Sequence, residues 1–248
     1  MTLSSEQKIQ ENQYDFPYHY IPQFEGNFTQ HVSWSWGVNY CATIEFLIKK
    51  ISNKKFNTLA DIGTGDGRLV RELSKAFPEK IIEGIDYSDQ AISLAKALNT
   101  QLSFKQADIT KLKDDKFDLI TLIEVFEHIP MELCHDFVFG LKNLLTDDGR
   151  ILLTVPHKNK PLSEKHFQHF TKDSIMEYFS EFFNIVEYQP IDKISRFVRY
   201  LKKISNNKYF LVQYPKFNNY LYSVVKKNYV NTNETNCGRI YLELILKQ

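Results

Sequence analysis

Leu59-Ala60-Asp61-Ile62-Gly63-Thr64-Gly65-Asp66-Gly67 is the stretch whose reading decides the fold. A short apolar run, Phe56 to Ala60, leads into it, and an amphipathic segment, Arg68–Phe77, leads out. That pattern predicts a strand over Phe56–Ile62, a glycine-rich turn and a helix. Glycines let such a turn take positive φ and let a ligand approach the backbone closely. Many α/β proteins carry a glycine turn, so the surrounding sequence has to decide what this one holds.

Outward from the turn, strand-like and helix-like segments alternate. Strands are expected at Lys80–Ile85, Leu102–Gln106, Phe117–Ile123 and Gly149–Val155, and again at Phe183–Tyr188 and Arg239–Leu246. Helices are expected at Gly37–Ile51, Ser88–Leu98 (with Ser88 and Asp89 as capping residues), Met131–Leu145 (entered through Pro130) and Thr171–Phe179. The alternation predicts an α/β fold, a mostly parallel sheet with helices on both faces. Ligands of such sheets bind beyond the carboxyl ends of the strands. Three of those ends carry an acid: Asp61 closes the first strand, Asp86 the second, and Asp108 follows the third. An acid about 20 residues beyond a glycine turn can hold ribose hydroxyls. Acids within the turn would repel a pyrophosphate and favour a cationic or amino-bearing ligand.

Asp61-Ile-Gly-Thr-Gly-Asp-Gly67, together with Gly84-Ile-Asp86 and Gln106-Ala-Asp108, resembles the class I S-adenosylmethionine-dependent methyltransferases. The resemblance covers roughly residues 56–190 and the last strand. It implies a Rossmann-like, seven-stranded sheet with the last strand antiparallel. It implies that Asp61, Gly63, Thr64, Gly65 and Gly67 hold the methionine moiety of S-adenosylmethionine. Asp86 would bind the ribose with Tyr87 beside the adenine, Asp108 and Ile109 would face the adenine, and Glu124 would lie near the cofactor. The expected organisation is an N-terminal aromatic arm and helix over 1–52 on the substrate side, then a methyltransferase domain over 53–248. Capping or loop solvation is the plain structural alternative for Asp86 and Asp108.

After the fourth strand comes Glu124-Val-Phe-Glu127-His128-Ile-Pro130. At these spacings Glu124, Glu127 and His128 share one face of a helical turn. Two carboxylates and an imidazole can hold a divalent cation, Mg²⁺, Mn²⁺ or Zn²⁺. The stretch resembles the ubiquinone-pathway O-methyltransferases, where it is associated with a metal. It also resembles the small-RNA 2′-O-methyltransferases, which add histidines from a later loop. Here His166-Phe-Gln-His169 lies in a comparable place, so the candidate ligands are Glu124, Glu127, His128 and His169. A pocket-shaping role without metal is the competing reading. His128 is also a candidate general base, because an unperturbed histidine titrates near pH 6.5. His157, just beyond the strand that ends at Val155, is a second. His19, His31 and His135 form no readable constellation.

The 248 residues are 43% hydrophobic and 25% charged with a formal net charge of +1, the balance of an ordinary globular protein. Near-neutrality excludes a global pull toward nucleic acid. The total hides an asymmetry: Lys193–Asn233 holds nine basic residues and no acidic one, leaving about −8 (+1 minus +9) elsewhere. This basic, aromatic insertion, at about 191–236, could meet phosphates of a substrate, an anionic membrane surface or RNA, or be a solvated lid. The arm before residue 37, with Tyr14, Tyr18, Tyr20, Trp34 and Trp36, reads as irregular, either a lid or aromatic packing on the domain. Three scattered cysteines, Cys41, Cys134 and Cys237, suit neither a disulfide framework nor a zinc cluster. With a polar N-terminus and no long apolar stretch, a cytoplasmic location is expected, peripheral membrane contact being the variant the insertion allows.

Transfer of a methyl group from a sulfonium is an in-line displacement, for which the protein supplies alignment, desolvation and proton removal. An oxygen acceptor must lose its proton. The histidines around the expected mouth therefore point to O-methylation of a small-molecule acceptor, quinol-type, natural-product or saccharide. The alternatives are a metal-assisted RNA 2′-O-methyltransferase and a non-catalytic S-adenosylmethionine-binding module. Oligomeric state is not encoded in any readable signal.

Overall fold

The computed structural model describes residues 4–12, 35–112, 115–207 and 209–247. A short helix α1 (Ser5–Asn12) is capped reciprocally by Ser4 and Gln7, and α2 (Ser35–Ile51) follows. The N-terminal stretch read as irregular thus contains one helix and the first turn of another. The aromatics expected to form a lid, Tyr14 through Trp34, and both His19 and His31 lie outside the described residues.

The glycine-rich stretch folds as read. Strand β1 (Thr58–Ile62) runs into the turn and α3 (Arg68–Ala76) leaves it. Then come β2 (Ile81–Asp86), α4 (Asp89–Leu98), β3 (Ser103–Gln106), β4 (Phe117–Ile123), α5 (Cys134–Leu144), β5 (Leu145–Pro156), α6 (Lys172–Phe179) and β6 (Phe183–Lys193). The chain continues through α7 (Arg196–Ser205), α8 (Pro215–Val230) and β7 (Cys237–Leu246). The seven strands form one sheet in the order β3-β2-β1-β4-β5-β7-β6. Strands β3 through β5 are parallel, while β7 pairs antiparallel with β5. This is the Rossmann-like α/β fold expected, with the final strand reversed.

Local chemistry explains the elements. Leu59, Ala60, Ile62, Leu119, Ile120 and Leu122 are all buried, as central parallel strands covered on both faces require. Helix α3 buries Leu69, Val70 and Leu73, one face at helical spacing. Ser88 caps α4 by accepting from Ala91 N–H at 3.1 Å, and Thr171 with Ser174 forms a capping box on α6. Three boundaries differ most from expectation. Strand β6, read as Phe183–Tyr188, runs on to Lys193. The helix read from Met131 opens as a 3₁₀ turn, Met131–Leu133, and becomes α-helical only at Cys134. Strand β5 begins at Leu145, and its pairing with β4 shifts register between Phe117 and Leu119 to absorb the Thr146-Asp-Asp-Gly149 segment.

The chain divides into two compact units. One holds α1, residues 55–189 and residues 239–247, including the glycine turn and the histidine stretches. The other holds residues 35–54 and 190–238, so α2 and the basic insertion share a unit instead of standing apart as arm and insertion. Inside that second unit, Tyr229 donates its hydroxyl to Thr43 Oγ1 and Tyr222 to Glu45 Oε1, both at 2.8 Å. Asn39 bridges Asp192 Oδ1 and Lys202 Nζ, again at 2.8 Å each.

Candidate active site

At the end of β1 the backbone turns through Gly63, Gly65 and Gly67 with φ of 72°, 57° and 79°. These are left-handed values that favour glycine. A Cβ at Gly63 would stand 2.4 Å from a Val125 methyl, and one at Gly67 2.6 Å from the Phe104 ring. The turn is therefore held from two sides by the loop after β4 and by β3. Gly63 and Thr64 both donate to the Ile85 carbonyl, and Gly65 donates to Asp86 Oδ2 at 2.9 Å. With these donors engaged, what the turn offers a ligand is acceptor-rich. That suits an ammonium and a sulfonium better than a pyrophosphate.

Asp61 is buried and accepts from Thr121 Oγ1 at 2.7 Å. Burial is the main reason its carboxyl rises to about 7, and the nearby Asp86 adds to the rise. Asp86 is buried at the end of β2, and besides Gly65 it accepts from Ser88 N–H at 3.0 Å. Tyr87 beside it is exposed and its carbonyl accepts from the Gln106 side chain. Asp108 accepts from Thr110 N–H and Oγ1 and pairs with Lys111 at 3.1 Å. Those are the bonds of a cap on the 3₁₀ turn Ile109–Lys111. Despite the partial burial that opposes it, these hydrogen bonds hold the Asp108 carboxyl below its ordinary value. Ile109 is buried in that turn.

Glu124 ends β4 in a left-handed conformation, φ 57°, unusual for a non-glycine residue. Its Oε2 accepts from Arg239 Nε on β7 at 2.6 Å, and its Oε1 from Thr154 on β5 at 3.1 Å. The carboxylate read as a metal ligand is thus committed to its neighbouring strands.

The next residues behave differently. Phe126, Glu127 and His128 form a 3₁₀ turn. Glu127 is 1% exposed, and neither carboxylate oxygen has a hydrogen-bond partner in another residue. Burial, with the Glu124 carboxylate as the second cause, lifts its pKa well above the ordinary carboxylate range. The ligand atoms of Glu127, His128 and His166 lie within 4.8 Å of one another. Phe126 and Phe170, both fully buried with ring centroids 5.6 Å apart, anchor the two segments that carry these groups. Phe167 N–H donates to the Glu127 carbonyl at 2.9 Å and ties them together.

Hydrogen bonding fixes the tautomers. His128 Nδ1 lies 2.8 Å from the Lys165 carbonyl and His169 Nδ1 3.1 Å from the Lys160 carbonyl. A carbonyl only accepts, so both Nδ1 atoms carry the proton. His169 Nε2 is then an acceptor, and His166 Nδ1, 2.8 Å away, must donate to it. That leaves Nε2 of both His128 and His166 unprotonated, and each histidine offers one ring nitrogen to the cluster with Glu127. Burial lowers the His128 pKa to about 4 and the His166 pKa to about 2, so both are neutral at pH 7.

Three sequence expectations change here. The cluster is Glu127, His128 and His166; His169 supports His166 from behind, and Glu124 is held by Arg239. His128, read as a base with an ordinary pKa, is a much weaker base once buried. His157 is buried, and its Nδ1 accepts from Asn159 N–H at 3.1 Å, so the proton sits on Nε2 and no lone pair is left to act as a base. Sequence reasoning missed Arg239, Phe126 and Phe170. Only the aromatic neighbours flanking each histidine pair hinted at the last two.

A sequence description of the methyltransferase domain matches residues 37–197, about two thirds of the chain. The chain belongs to this methyltransferase family. A ubiquinone biosynthesis O-methyltransferase of Glaesserella parasuis serovar 5 is 35% identical over 105 residues, 38% of this chain and 43% of that one. A protein-lysine N-methyltransferase of Saccharomyces cerevisiae is 31% identical over 88 residues, 31% of this chain and 38% of that one. This methyltransferase therefore aligns with less than half the length of these relatives. Among solved structures, magnesium protoporphyrin IX methyltransferase from Synechocystis PCC 6803 with bound S-adenosylmethionine superposes with a TM-score of 0.61 over 100% of both chains, at 15% identity. That likeness is one of fold. The methyltransferase family brings S-adenosylmethionine as cofactor, and the acceptor-rich turn at the ends of β1 and β2 fits that molecule. No described helix is long and apolar enough to cross a membrane.

Proposed function

We propose that this methyltransferase transfers a methyl group from S-adenosylmethionine to a hydroxyl oxygen of a small-molecule acceptor, quinol-type, natural-product or saccharide. The observation that carries the reading is the buried Glu127 carboxylate, without a partner from another residue, clustered within 4.8 Å with ring nitrogens of His128 and His166. A hydroxyl hydrogen is what such a set lacks. The ubiquinone-pathway relative supports an oxygen acceptor; the lysine-modifying relative does not, so the choice rests on the cluster.

In this reading Gly63, Thr64, Gly65 and Gly67 shape the methionine end of the cofactor site and Asp61 faces its positive charge. Asp86 takes the ribose, with Tyr87, Asp108 and Ile109 around the adenine. Glu124, fixed by Arg239, separates cofactor from acceptor. Glu127 accepts the acceptor's hydroxyl proton in a hydrogen bond, and its raised pKa suits it to hold that proton during transfer.

The same three residues also fit a divalent cation. A carboxylate with two Nδ1-protonated imidazoles is a recurrent metal-ligand set, and the Lys165 carbonyl and His169 behind the rings are the outer partners such ligands need. One carboxylate and two nitrogens favour Mn²⁺ or Zn²⁺ over Mg²⁺. A cation held there would supply Lewis acidity at the acceptor oxygen. The His166 contribution is also what favours the second reading, 2′-O-methylation of an RNA end.

The test is transfer of labelled methyl to a panel of catechols, saccharides, amines and single-stranded RNA, with and without chelator. Methylation of hydroxyls that Glu127→Gln abolishes is the expected result. Transfer to amines alone would refute oxygen as the acceptor atom. RNA as the sole acceptor would select the second reading, and full activity in chelator would remove the cation.

A further inference from the structure

Helix α7, in the second unit, has an outer face that the methyltransferase chemistry does not use. Ser195 caps it through Val198 N–H at 3.3 Å, and Leu201 and Ser205 are buried on the inner side. Outward, two stripes run side by side. Arg196, Arg199 and Lys203 occupy one i, i+3, i+7 row, and Phe197, Tyr200 and Ile204 occupy the next. All six are exposed, Phe197 by 52% and Tyr200 by 62%. The tight hairpin after the helix, bridged between Asn206 and Leu211, adds exposed Tyr209 and Phe210. No acidic partner of Arg196, Arg199 or Lys203 is present among the described residues, and the whole segment Lys193–Asn233 has no acidic residue at all.

We infer that α7 is an interfacial helix that seats the protein on an anionic bilayer. A helix lying flat on a membrane buries an apolar stripe at the acyl boundary while flanking basic residues meet headgroup phosphates. Segregation of the two residue types into parallel rows matches a planar boundary. Charge complementarity selects this occupant. A second copy of the chain docking its own α7 here about a two-fold axis would set unbalanced positive charge against itself. Single-stranded RNA is read by flat rings along a basic groove, and Ile204, with the exposed Ile194 before the helix, offers no ring to stack.

The experiment is flotation of the full chain with vesicles of phosphatidylcholine alone and of phosphatidylcholine with about 30 mol% phosphatidylglycerol. Flotation with the anionic vesicles only, weakened by salt, is expected. Replacing all three basic residues (Arg196→Gln, Arg199→Gln, Lys203→Gln) should lower partitioning about 100-fold. Phe197→Ser with Tyr200→Ser should lower it on the order of tenfold or more. S-adenosylmethionine affinity, measured in the same preparations, reports whether each variant has folded, and the lipid and salt dependence of the unaltered protein tests the inference without any variant. The inference is overturned by equal flotation with neutral vesicles, by none with either, or by variants that partition like the parent. Binding of a single-stranded RNA oligomer by a protein that ignores vesicles overturns it too.

Discussion

Asp61 and Glu127 are both acids just beyond or at the end of a parallel strand, both buried, and both held above the ordinary carboxylate range chiefly by burial. They differ in company. Asp61 is met by Thr121, and the adjoining Asp86 by Gly65 and Ser88, so the cofactor turn is satisfied by its own fold. The Glu127 carboxylate meets no donor from another residue and lies in a cluster with ring nitrogens of His128 and His166. A buried polar group without a partner costs roughly 1–3 kcal/mol, so a site that keeps one is arranged for something that arrives later. Under the proposed function the first region binds the cofactor and the second carries the proton transfer.

Substitution at each acid should separate the two roles. Glu127→Gln should reduce methyl transfer by about 10²–10⁴-fold while leaving S-adenosylmethionine affinity unchanged. Its melting temperature should hold or rise, because a costly buried carboxylate is gone. Asp86→Ala should weaken S-adenosylmethionine binding by roughly 10–100-fold through lost charge-assisted hydrogen bonds, read by calorimetry. Gly63→Ala should destabilise the protein by about 2–4 kcal/mol in denaturant unfolding. Its positive φ and the Val125 methyl at 2.4 Å both oppose a Cβ.

The smallest effect is a pH dependence. In the cofactor-free protein Asp61 titrates near 7, and a cationic ligand selects its ionised form. Cofactor affinity should therefore fall about fivefold from pH 7 to pH 6 and level off above pH 8, with a proton released on binding below pH 7. The folded-state pKa is raised above the ordinary carboxylate value of 3.8, so the folded protein binds more protons than the unfolded chain between about 4 and 7. Asp61 therefore subtracts stability as pH rises through that window. Asp61→Asn should remove that slope in thermal melts, at the expense of cofactor affinity.

The contrast also explains what could be read from the sequence. Turn, strand ends and acids are local: Gly63 to Gly67 and the acid 21 residues after Gly65 follow from β-turn-α geometry, and the succession of strand-like and helix-like segments predicted the sheet. The cluster is not local. His128 and His166 are 38 positions apart and meet because Phe126 packs on Phe170, and His169 stood as near in sequence as His166. Which histidine turns inward depends on the Lys160 carbonyl behind the other one, and no spacing encodes that. Nor could Glu124 be excluded as a ligand before Arg239 on the last strand was placed against it. The low His128 pKa is equally a product of burial, invisible in residue type.

Titration calorimetry of S-adenosylmethionine into the parent protein, Asp86→Ala and Glu127→Gln tests the division of labour most directly. Retained affinity in Glu127→Gln with strongly weakened binding in Asp86→Ala is the expected result; unchanged binding in Asp86→Ala, or its loss in Glu127→Gln, would contradict it.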